Sequence, residues 1–226
     1  MKVPAFSFII PVLNEQGRIG PLLQVLADCY PGSQLLVVDG GSTDATVAEA
    51  RAHCGEVICS EPGRAVQMNT GARAANGAYL FFLHADTLPT ISEAELQQYI
   101  ASGPPWGFFR VRLSGCHWMF RVIEWAMNLR SGLTAVATGD QMIFVRRDLF
   151  VESGGFAVIP LMEDIEYCKR LRKEARPLLV RQVVETSSRR WEQGGIISTV
   201  VRMWTLRLAY FLGVPPSRLK AHYVNG

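Results

Sequence analysis

The sequence predicts an α/β fold in which helices flank a mostly parallel central sheet, and three observations support this prediction. Strand-like and helix-like patterns alternate through roughly the first ninety residues, which is typical of a parallel sheet with right-handed crossovers. The strand-like runs are short and mostly uncharged, as expected of strands that are buried on both faces. Polar residues directly follow three of these runs. In a parallel sheet such strand ends lie along one edge, where ligands bind.

The elements of the first half follow one another in a regular order. Four runs predict strands, which cover residues 6–12, 34–38, 56–59 and 79–83. A helix follows each of the first three strands. The first helix has Pro21 in its first turn, where the missing N–H costs no hydrogen bond. The second covers residues 45–53 and can be capped by Ser42 or Thr43, and the third covers residues 63–75.

The pattern becomes less regular after Pro104-Pro105. This point divides a single predicted domain, residues 1–226, into two halves, residues 1–103 and 104–226. A further helix is predicted to start with Glu163 and Asp164, although acidic residues are also common in a first helical turn because they suit the helix dipole. Further strands are predicted over residues 106–113, 142–145 and 178–184.

Two segments of the second half are strongly apolar. Residues 117–129 predict an aromatic-rich helix that either forms a wall for an acceptor or packs in the core, and the core is the commoner outcome. Residues 196–212 form a long apolar segment that Arg202 and Arg207 interrupt, so it is a poor membrane-spanning helix. It lies either against the body of the protein or on a membrane surface, and we favour the membrane surface by a small margin.

Acidic side chains mark the ends of three predicted strands. Glu15 follows the first strand, Asp39 follows the second, and His84 and Asp86 follow the fourth. Taken alone, Asp86 could equally cap the next turn. Three carboxylates that come from three separate strands are harder to explain as caps. The sequence therefore favours a binding site at this edge of the sheet.

Charge is distributed unevenly along the 226 residues. The net charge is only +3, which by itself suggests no nucleic-acid partner. Residues 1–168 carry 11 basic and 17 acidic side chains, a balance of −6, whereas residues 169–226 carry 12 basic and 3 acidic side chains, a balance of +9. The last quarter is therefore expected to face something anionic, such as phosphates or a lipid surface.

The cysteines and the N-terminal segment predict a cytoplasmic location. The five cysteines lack the spacing of a zinc site, so we expect free thiols in a reducing compartment. The first fifteen residues contain a short apolar run that two prolines break, which fits neither a signal peptide nor a spanning helix. Contact with the inner face of the membrane is a further hypothesis, which rests on the basic tail. The cysteines are Cys29, Cys54, Cys59, Cys116 and Cys168.

Several motifs together resemble the nucleotide-sugar half of glycosyltransferase family 2, whose members have the GT-A fold. The resemblance continues more loosely into the second half and covers about 190 of the 226 residues. Any one motif is weak evidence, whereas their joint order and spacing are specific. Within the family, the chain is similar to small stand-alone bacterial members, including the radical SAM/selenodomain-associated transferases. The motifs are IIPVLNE at residues 9–15, VVDGGSTD at residues 37–44, a helix with Arg64, Gln67, Asn69 and Gly71, and a strand that ends in His84-Ala85-Asp86.

The resemblance implies a donor site in residues 1–103 for a nucleotide-diphospho sugar, of the UDP type by preference. In that site Asp86 would hold a divalent metal, Mn²⁺ or Mg²⁺, that bridges the diphosphate. Asp39 would form a hydrogen bond with a uracil-type base. The remaining donor-binding residues would be Pro11 and Glu15 near the base and ribose, Arg64 near the diphosphate or base, and Gln67.

The resemblance also implies an acceptor site in residues 104–226. Asp164 would act as the general base, with Glu163 as the second candidate. Gly139-Asp140 would shape the acceptor pocket, and Arg190-Trp191 would form a lid over it. The acceptor itself is not predicted, beyond the hypothesis that it is linked to a lipid.

The sequence departs from the family pattern in two places. The metal motif begins with His84 rather than aspartate, which suits Mn²⁺ better than Mg²⁺ because Mg²⁺ favours oxygen ligands. Residues 187–191 read SSRRW, without the glutamine of the processive members' motif. Transfer of a single sugar is therefore favoured over polymerisation.

The leading hypothesis is an inverting, metal-assisted glycosyltransferase with a carboxylate base. The alternative is a non-catalytic protein of the same fold that binds nucleotide sugars or a membrane surface. A nucleotidyltransferase is disfavoured because residues 13–19 contain one glycine and no lysine. A nicotinamide-dependent dehydrogenase is disfavoured because no GxGxxG motif follows the first strand.

Overall fold

A computed structural model describes residues 5–53 and 56–219 of the chain. Cys54, the first four residues and the last seven residues of the predicted domain lie outside the described residues. In the described part, eight strands form one sheet. They are β1 (Phe6–Val12), β2 (Gln34–Asp39), β3 (Val57–Cys59), β4 (Tyr79–Phe82), β5 (Thr87–Pro89), β6 (Trp106–Leu113), β7 (Ile143–Arg146) and β8 (Leu178–Thr186).

Helices pack on both faces of this sheet. A single 3₁₀ turn, Gly139–Gln141, precedes β7 and becomes important for the candidate site. The α-helices are α1 (Ile19–Cys29), α2 (Thr46–His53), α3 (Arg64–Ala74), α4 (Glu93–Ile100), α5 (Trp118–Thr134), α6 (Arg147–Glu152), α7 (Glu163–Glu174), α8 (Arg189–Gly194) and α9 (Ile196–Phe211).

The strands lie in the order β3-β2-β1-β4-β7-β6-β8-β5. The four strands that come first in the sequence pair in parallel, as does β6 with β8. Antiparallel pairs join β7 to both of its neighbours and β5 to β8. The prediction of a mostly parallel α/β sheet is confirmed. Since β1, β2 and β4 run in the same direction, their carboxyl ends lie at one edge.

Apolar side chains form a core on each face of the sheet. Alternation along β1 shows this, because Phe8 and Ile10 belong to one cluster and Ile9 to the other. The aromatic ring of Phe81 stacks on Phe144 with centroids 5.4 Å apart, so the central strands β4 and β7 are joined by side chains as well as by the ladder. Burial on both faces explains why these strands read as continuous apolar runs.

The predicted strands and main helices are confirmed with shifts of a few residues at their ends, but some short elements were not predicted. The segment Thr87–Pro89, read as a turn, forms β5 and pairs with β8. Helices α4, α6 and α8 were also absent from the prediction. Each is short, between 6 and 8 residues, and so carries too little periodic signal to be recognised.

The aromatic helix α5 corrects a sequence-based expectation. Phe120 is buried, as a core helix requires, but the side chains of Trp118 and Trp125 are exposed by 69% and 65%. Of the two alternatives for this segment, packing in the core, which is the commoner outcome, is therefore wrong for these two tryptophans. Four described cysteines are free thiols, as predicted. In residues 5–53 and 56–219, no helix is long and apolar enough to span a membrane.

Candidate active site

The end of β2 forms a tight polar turn around Asp39. Asp39 is buried, and its carboxylate accepts hydrogen bonds from the backbone N–H groups of Gly41 at 3.0 Å and Ser42 at 3.1 Å. Gly41 has a φ of 97°, a conformation that favours glycine. Asp39 thus fixes the loop at the sheet edge, where the sequence predicts the nucleotide base to lie.

Gln67 of α3 ties the ends of two strands together. Its buried side-chain nitrogen donates to the carbonyl oxygens of Val12 and Val38, both at 2.8 Å. Pro11 lies beside Val38 in the register of β1 and β2. Through these two hydrogen bonds, Gln67 positions the strand ends that were predicted to bind the donor.

Glu15 lies in the loop after β1. Its carboxylate pairs with the guanidinium of Arg18, and its backbone N–H donates to the hydroxyl oxygen of Thr46 at 2.7 Å. These contacts hold the loop between β1 and α1 against the start of α2. The predicted ribose-binding residue is thus anchored locally at the same edge as Asp39.

The end of β4 meets the 3₁₀ turn of the second half. Nδ1 of His84 lies 3.4 Å from Oδ1 of Asp140. A Cβ on Gly139 would lie 2.3 Å from Cε1 and 2.4 Å from Nε2 of His84, so only glycine allows this close approach. Burial raises the pKa of Asp140, but the hydrogen bond and charge of His84, with the charges of Arg64 and Arg190, outweigh it and hold the pKa below the ordinary range.

Asp164, in the first turn of α7, contacts the same 3₁₀ turn. Its Oδ2 accepts a hydrogen bond from the backbone N–H of Gly139 at 2.8 Å. Burial and the adjacent charge of Glu163 raise the pKa of Asp164 to about 6, although the N–H groups of Gly139 and Ile165 and the charge of Arg64 act in the opposite direction. A carboxylate with this pKa is largely ionised at neutral pH and can accept a proton.

Arg64 connects the two halves of the chain. It is the first residue of α3, and its Nη1 lies 3.8 Å from Oε1 of the buried Glu163 on α7. Asp86 contacts the second half through its backbone, since its carbonyl oxygen accepts a hydrogen bond from the N–H of Ser187, just before α8. The structure therefore clusters most of the predicted second-half residues with part of the donor half. The cluster contains Arg64, His84, Gly139, Asp140, Glu163, Asp164 and Arg190.

The family model for glycosyl transferase family 2 matches residues 7–159, which is more than half of the chain. The chain belongs to glycosyl transferase family 2. The protein is therefore a glycosyltransferase, and the family resemblance drawn from the motifs is confirmed.

Relatives and solved structures agree with this membership. The chain is 28% identical over 218 residues to the PGL/p-HBAD biosynthesis glycosyltransferase of Mycobacterium tuberculosis, covering 89% of this chain and 82% of that protein. TarS of S. aureus in complex with UDP matches with a TM-score of 0.66 and 18% identity, covering 80% of this chain and 60% of that one. Glucosyl-3-phosphoglycerate synthase from Mycobacterium tuberculosis, in complex with Mn²⁺ and UDP-glucose, matches with a TM-score of 0.58 and 19% identity, covering 94% and 80%. These likenesses establish the GT-A fold.

A metal ion bound to this family 2 glycosyltransferase would need groups of the substrate to complete its ligands. Among the described residues, no group of three or more His, Cys, Asp or Glu side chains is placed to hold a metal ion. Mg²⁺ commonly takes one or two carboxylates from a protein and fills its shell with substrate phosphates and water. The half-buried Asp86 suits that arrangement. His84 suits it less well, because the ring faces Gly139 and Asp140.

Arg130 of α5 was not predicted to belong to the site. Burial lowers the pKa of its guanidinium, while Asp164, Cys168 and Asp140 act to raise it, which places the cation near both carboxylates. Its Nε and Nη2 atoms are buried without a hydrogen-bond partner among the described residues. The sequence does not predict that Arg130 lies near these carboxylates, because a single arginine in an aromatic helix is usually a solvated side chain.

Proposed function

We propose that this glycosyltransferase moves one sugar from a nucleotide-diphospho sugar, of the UDP type, to an acceptor oxygen with inversion at the anomeric carbon. The observation that carries this proposal is the meeting of the two halves at the 3₁₀ turn. There Asp164 accepts a hydrogen bond from Gly139, and Asp140 lies 3.4 Å from His84, which follows the first-half strand β4. TarS with UDP and the synthase with UDP-glucose share this fold and support the choice of donor.

Asp164 is the proposed general base. The acceptor oxygen forms a bond to the anomeric carbon while its proton passes to Asp164, and the bond from that carbon to the diphosphate oxygen breaks. The pKa of about 6 suits this task, since the carboxylate is ionised at neutral pH yet is a better base than an ordinary aspartate. Glu163 contributes by raising that pKa and by pairing with Arg64.

Arg64 is proposed to bind the departing diphosphate, and Arg190, which the sequence assigns to a lid over the acceptor pocket, to assist it, since both cations lie near Asp140 at the centre of the site. Asp86 would hold a divalent metal, with His84 as the second candidate ligand. When bound, the metal supplies Lewis-acid stabilisation of the charge that develops on the diphosphate. The synthase of the same fold was solved with Mn²⁺, which supports the use of a divalent metal.

Release of the nucleoside diphosphate tests the proposal. Purified protein is incubated with Mn²⁺ or Mg²⁺ and a panel of UDP- and GDP-sugars, with water as the surrogate acceptor. We expect Asp164→Asn to slow release by about 10²- to 10⁴-fold, the usual contribution of a general base. Asp86→Ala should weaken Mn²⁺ binding in a calorimetric titration in the presence of UDP.

The exposed Asp28 of α1 provides a matched control, because Asp28→Asn removes a carboxylate far from the cluster along the chain. It should release nucleoside diphosphate at the wild-type rate. Turnover by Asp164→Asn within about threefold of wild type would remove Asp164 from the role of base.

A further inference from the structure

Two helices of the second half carry apolar stripes that face solvent. Their members recur every three or four residues, which places them on one side of each helix. Their side chains are exposed by between 44% and 78%. Such a stripe is normally buried, so two together mark a surface that binds something apolar. The stripes are Trp118, Val122, Trp125, Leu129 and Leu133 on α5, and Ile197, Val201, Trp204, Leu208 and Phe211 on α9.

A groove of about 870 Å³ lies between these two helices. This volume is in the upper part of the range of small-molecule sites. Fourteen apolar side chains line it, and five polar ones interrupt them. The polar residues come from the end of α5, the loop that follows it and the middle of α9. They are Arg130, Thr134, Thr138, Asp140 and Arg207.

The polar part of the groove belongs to the candidate active site. Asp140 lines the groove and also contacts His84. Gly139, next to it, donates its N–H to Asp164. Arg130 lines the same region and has two buried nitrogens without a hydrogen-bond partner in the described part of the chain. A ligand in the groove would therefore place a polar group beside the proposed base and its apolar part between the helices.

We propose that the acceptor of this glycosyltransferase is a membrane lipid with a long hydrocarbon body and a hydroxyl head, bound between α5 and α9 with its hydroxyl beside Asp164. This inference rests on the proposed function and names the acceptor class for the same site. In the transfer step the lipid hydroxyl gives its proton to Asp164, its oxygen bonds to the anomeric carbon, and the nucleoside diphosphate leaves.

The surface around the groove matches a lipid membrane. Exposed tryptophans such as Trp118, Trp125 and Trp204 are the side chains that favour the membrane–water interface. The basic balance of the last quarter of the chain, which includes Arg202 and Arg207 on α9, suits anionic headgroups. Because no described helix spans a membrane, α5 and α9 would lie in the plane of the interface.

Two other occupants fit the groove less well. A soluble sugar needs hydrogen-bond partners along its length, whereas the groove provides fourteen apolar side chains. A second copy of the chain would bury the stripes, but it would also cover the groove beside Asp140 and the proposed base. The lipid acceptor is the occupant for which both the apolar walls and the polar end are used.

The test compares acceptors of different polarity. Wild-type protein is incubated with the UDP-sugar that it hydrolyses and with vesicles of phosphatidylcholine and phosphatidylglycerol that contain diacylglycerol or a polyprenol. Glycerol and a free hexose are the soluble comparisons. We expect a vesicle-borne hydroxyl lipid to accelerate nucleoside diphosphate release at least about tenfold over glycerol, with a glycolipid as product, because burial of the chain contributes binding energy.

Charge placed in the groove should abolish this effect. Trp204→Glu on α9 and Trp125→Glu on α5 should each reduce vesicle co-sedimentation and lipid-dependent release about tenfold or more, with thermal unfolding used to verify the fold. The matched control is Val151→Glu on α6, which is 72% exposed, as is Trp204 at 71%, but does not line the groove. Vesicle co-sedimentation and lipid-dependent release should both be unchanged in that variant.

The failure of this inference differs from the failure of the proposed function. If no UDP- or GDP-sugar is bound or hydrolysed, the proposed function fails. If the donor is hydrolysed but the hexose is the better acceptor, the lipid inference is overturned. It is also overturned if the protein is a dimer that Trp204→Glu converts to a monomer without a loss of lipid-dependent release.

Discussion

At the scale of single residues, Asp164 should combine catalytic use with a cost in stability. Its pKa of about 6 in the folded protein lies above the ordinary value of 3.8, so the folded state keeps a proton that the unfolded chain releases. The contribution of Asp164 to the free energy of unfolding should therefore be fully present below about pH 4 and should be lost as the pH rises through about 6. Charged and titratable groups that face Asp164 are Glu163, Arg64, Arg130, Cys168 and Tyr210.

Asp164→Asn removes the ionisation but keeps an oxygen that can accept from Gly139. We expect the free energy of unfolding of this variant to exceed that of wild type by about 1 to 2 kcal/mol at pH 8 and to equal it at pH 4. The expected gain is smaller than the full shift of about two pKa units would give, because solvent partly screens the charge. Urea unfolding at the two pH values measures this. A difference in stability between the variant and wild type that is the same at pH 4 and pH 8 would contradict the raised pKa.

Residue identities in the site were only partly readable from the sequence. Asp39, Glu15 and the His84–Asp86 segment were found because strand ends in a parallel sheet share an edge. The pairing of His84 with Asp140 depends on β7 lying beside β4, and an antiparallel neighbour from the second half leaves no local pattern. The buried role of Arg130 depends on the same tertiary packing.

At the scale of elements, α3 is the helix that sets the geometry of the donor edge. Gly71 lets it approach the sheet closely, because a Cβ there would lie 2.6 Å from Cγ2 of Ile9 and 2.8 Å from Cγ2 of Val38. One turn earlier, Gln67 holds the carbonyls of Val12 and Val38. A displaced α3 would therefore loosen both strand ends.

Gly71→Ala should destabilise the protein by about 1 to 3 kcal/mol, as overpacking of a rigid core does, and should weaken UDP binding as well. Thermal unfolding and a calorimetric titration with UDP measure the two effects. Gly32→Ala is the matched control, since its Cβ would meet only Oε1 of Glu93 at the ordinary contact distance of 3.7 Å. Equal stability of the two variants would show that α3 can move without cost.

For helices α5 and α9, the spacing of apolar residues along the sequence predicts less than the structure shows. Spacing of three and four residues predicts a helix with an apolar side, but it does not say what covers that side. Phe120 meets the core and Trp118 does not, although both belong to the same aromatic segment. The position of α9 relative to α5 depends on contacts with α7, such as that of Lys169 with the Tyr210 ring, which the sequence pattern does not encode.

At the scale of the whole molecule, the first and second halves of the chain share one sheet rather than meeting at an interface. β4 of the first half pairs with β7 of the second, and β5 of the first half pairs with β8 at the other side of the sheet. Each half therefore supplies strands to the environment of the other. We therefore predict that the two halves unfold as one cooperative unit, as a single domain would.

Phe144 on β7 lies at the junction of the halves and tests this cooperativity. It is fully buried and stacks on Phe81 of the first half. The centroid of its ring lies 6.0 Å from that of Phe109 in the second half. Phe144→Ala should lower the free energy of unfolding by about 3 to 5 kcal/mol.

Urea unfolding followed by two probes measures cooperativity. Tryptophan fluorescence reports on the second half, because all the tryptophans lie there, and we expect it to follow the same transition as far-UV circular dichroism. The exposed Val151→Ala should change little. Separate transitions in the Phe144 variant would mean that the halves unfold independently and that the shared sheet does not couple them.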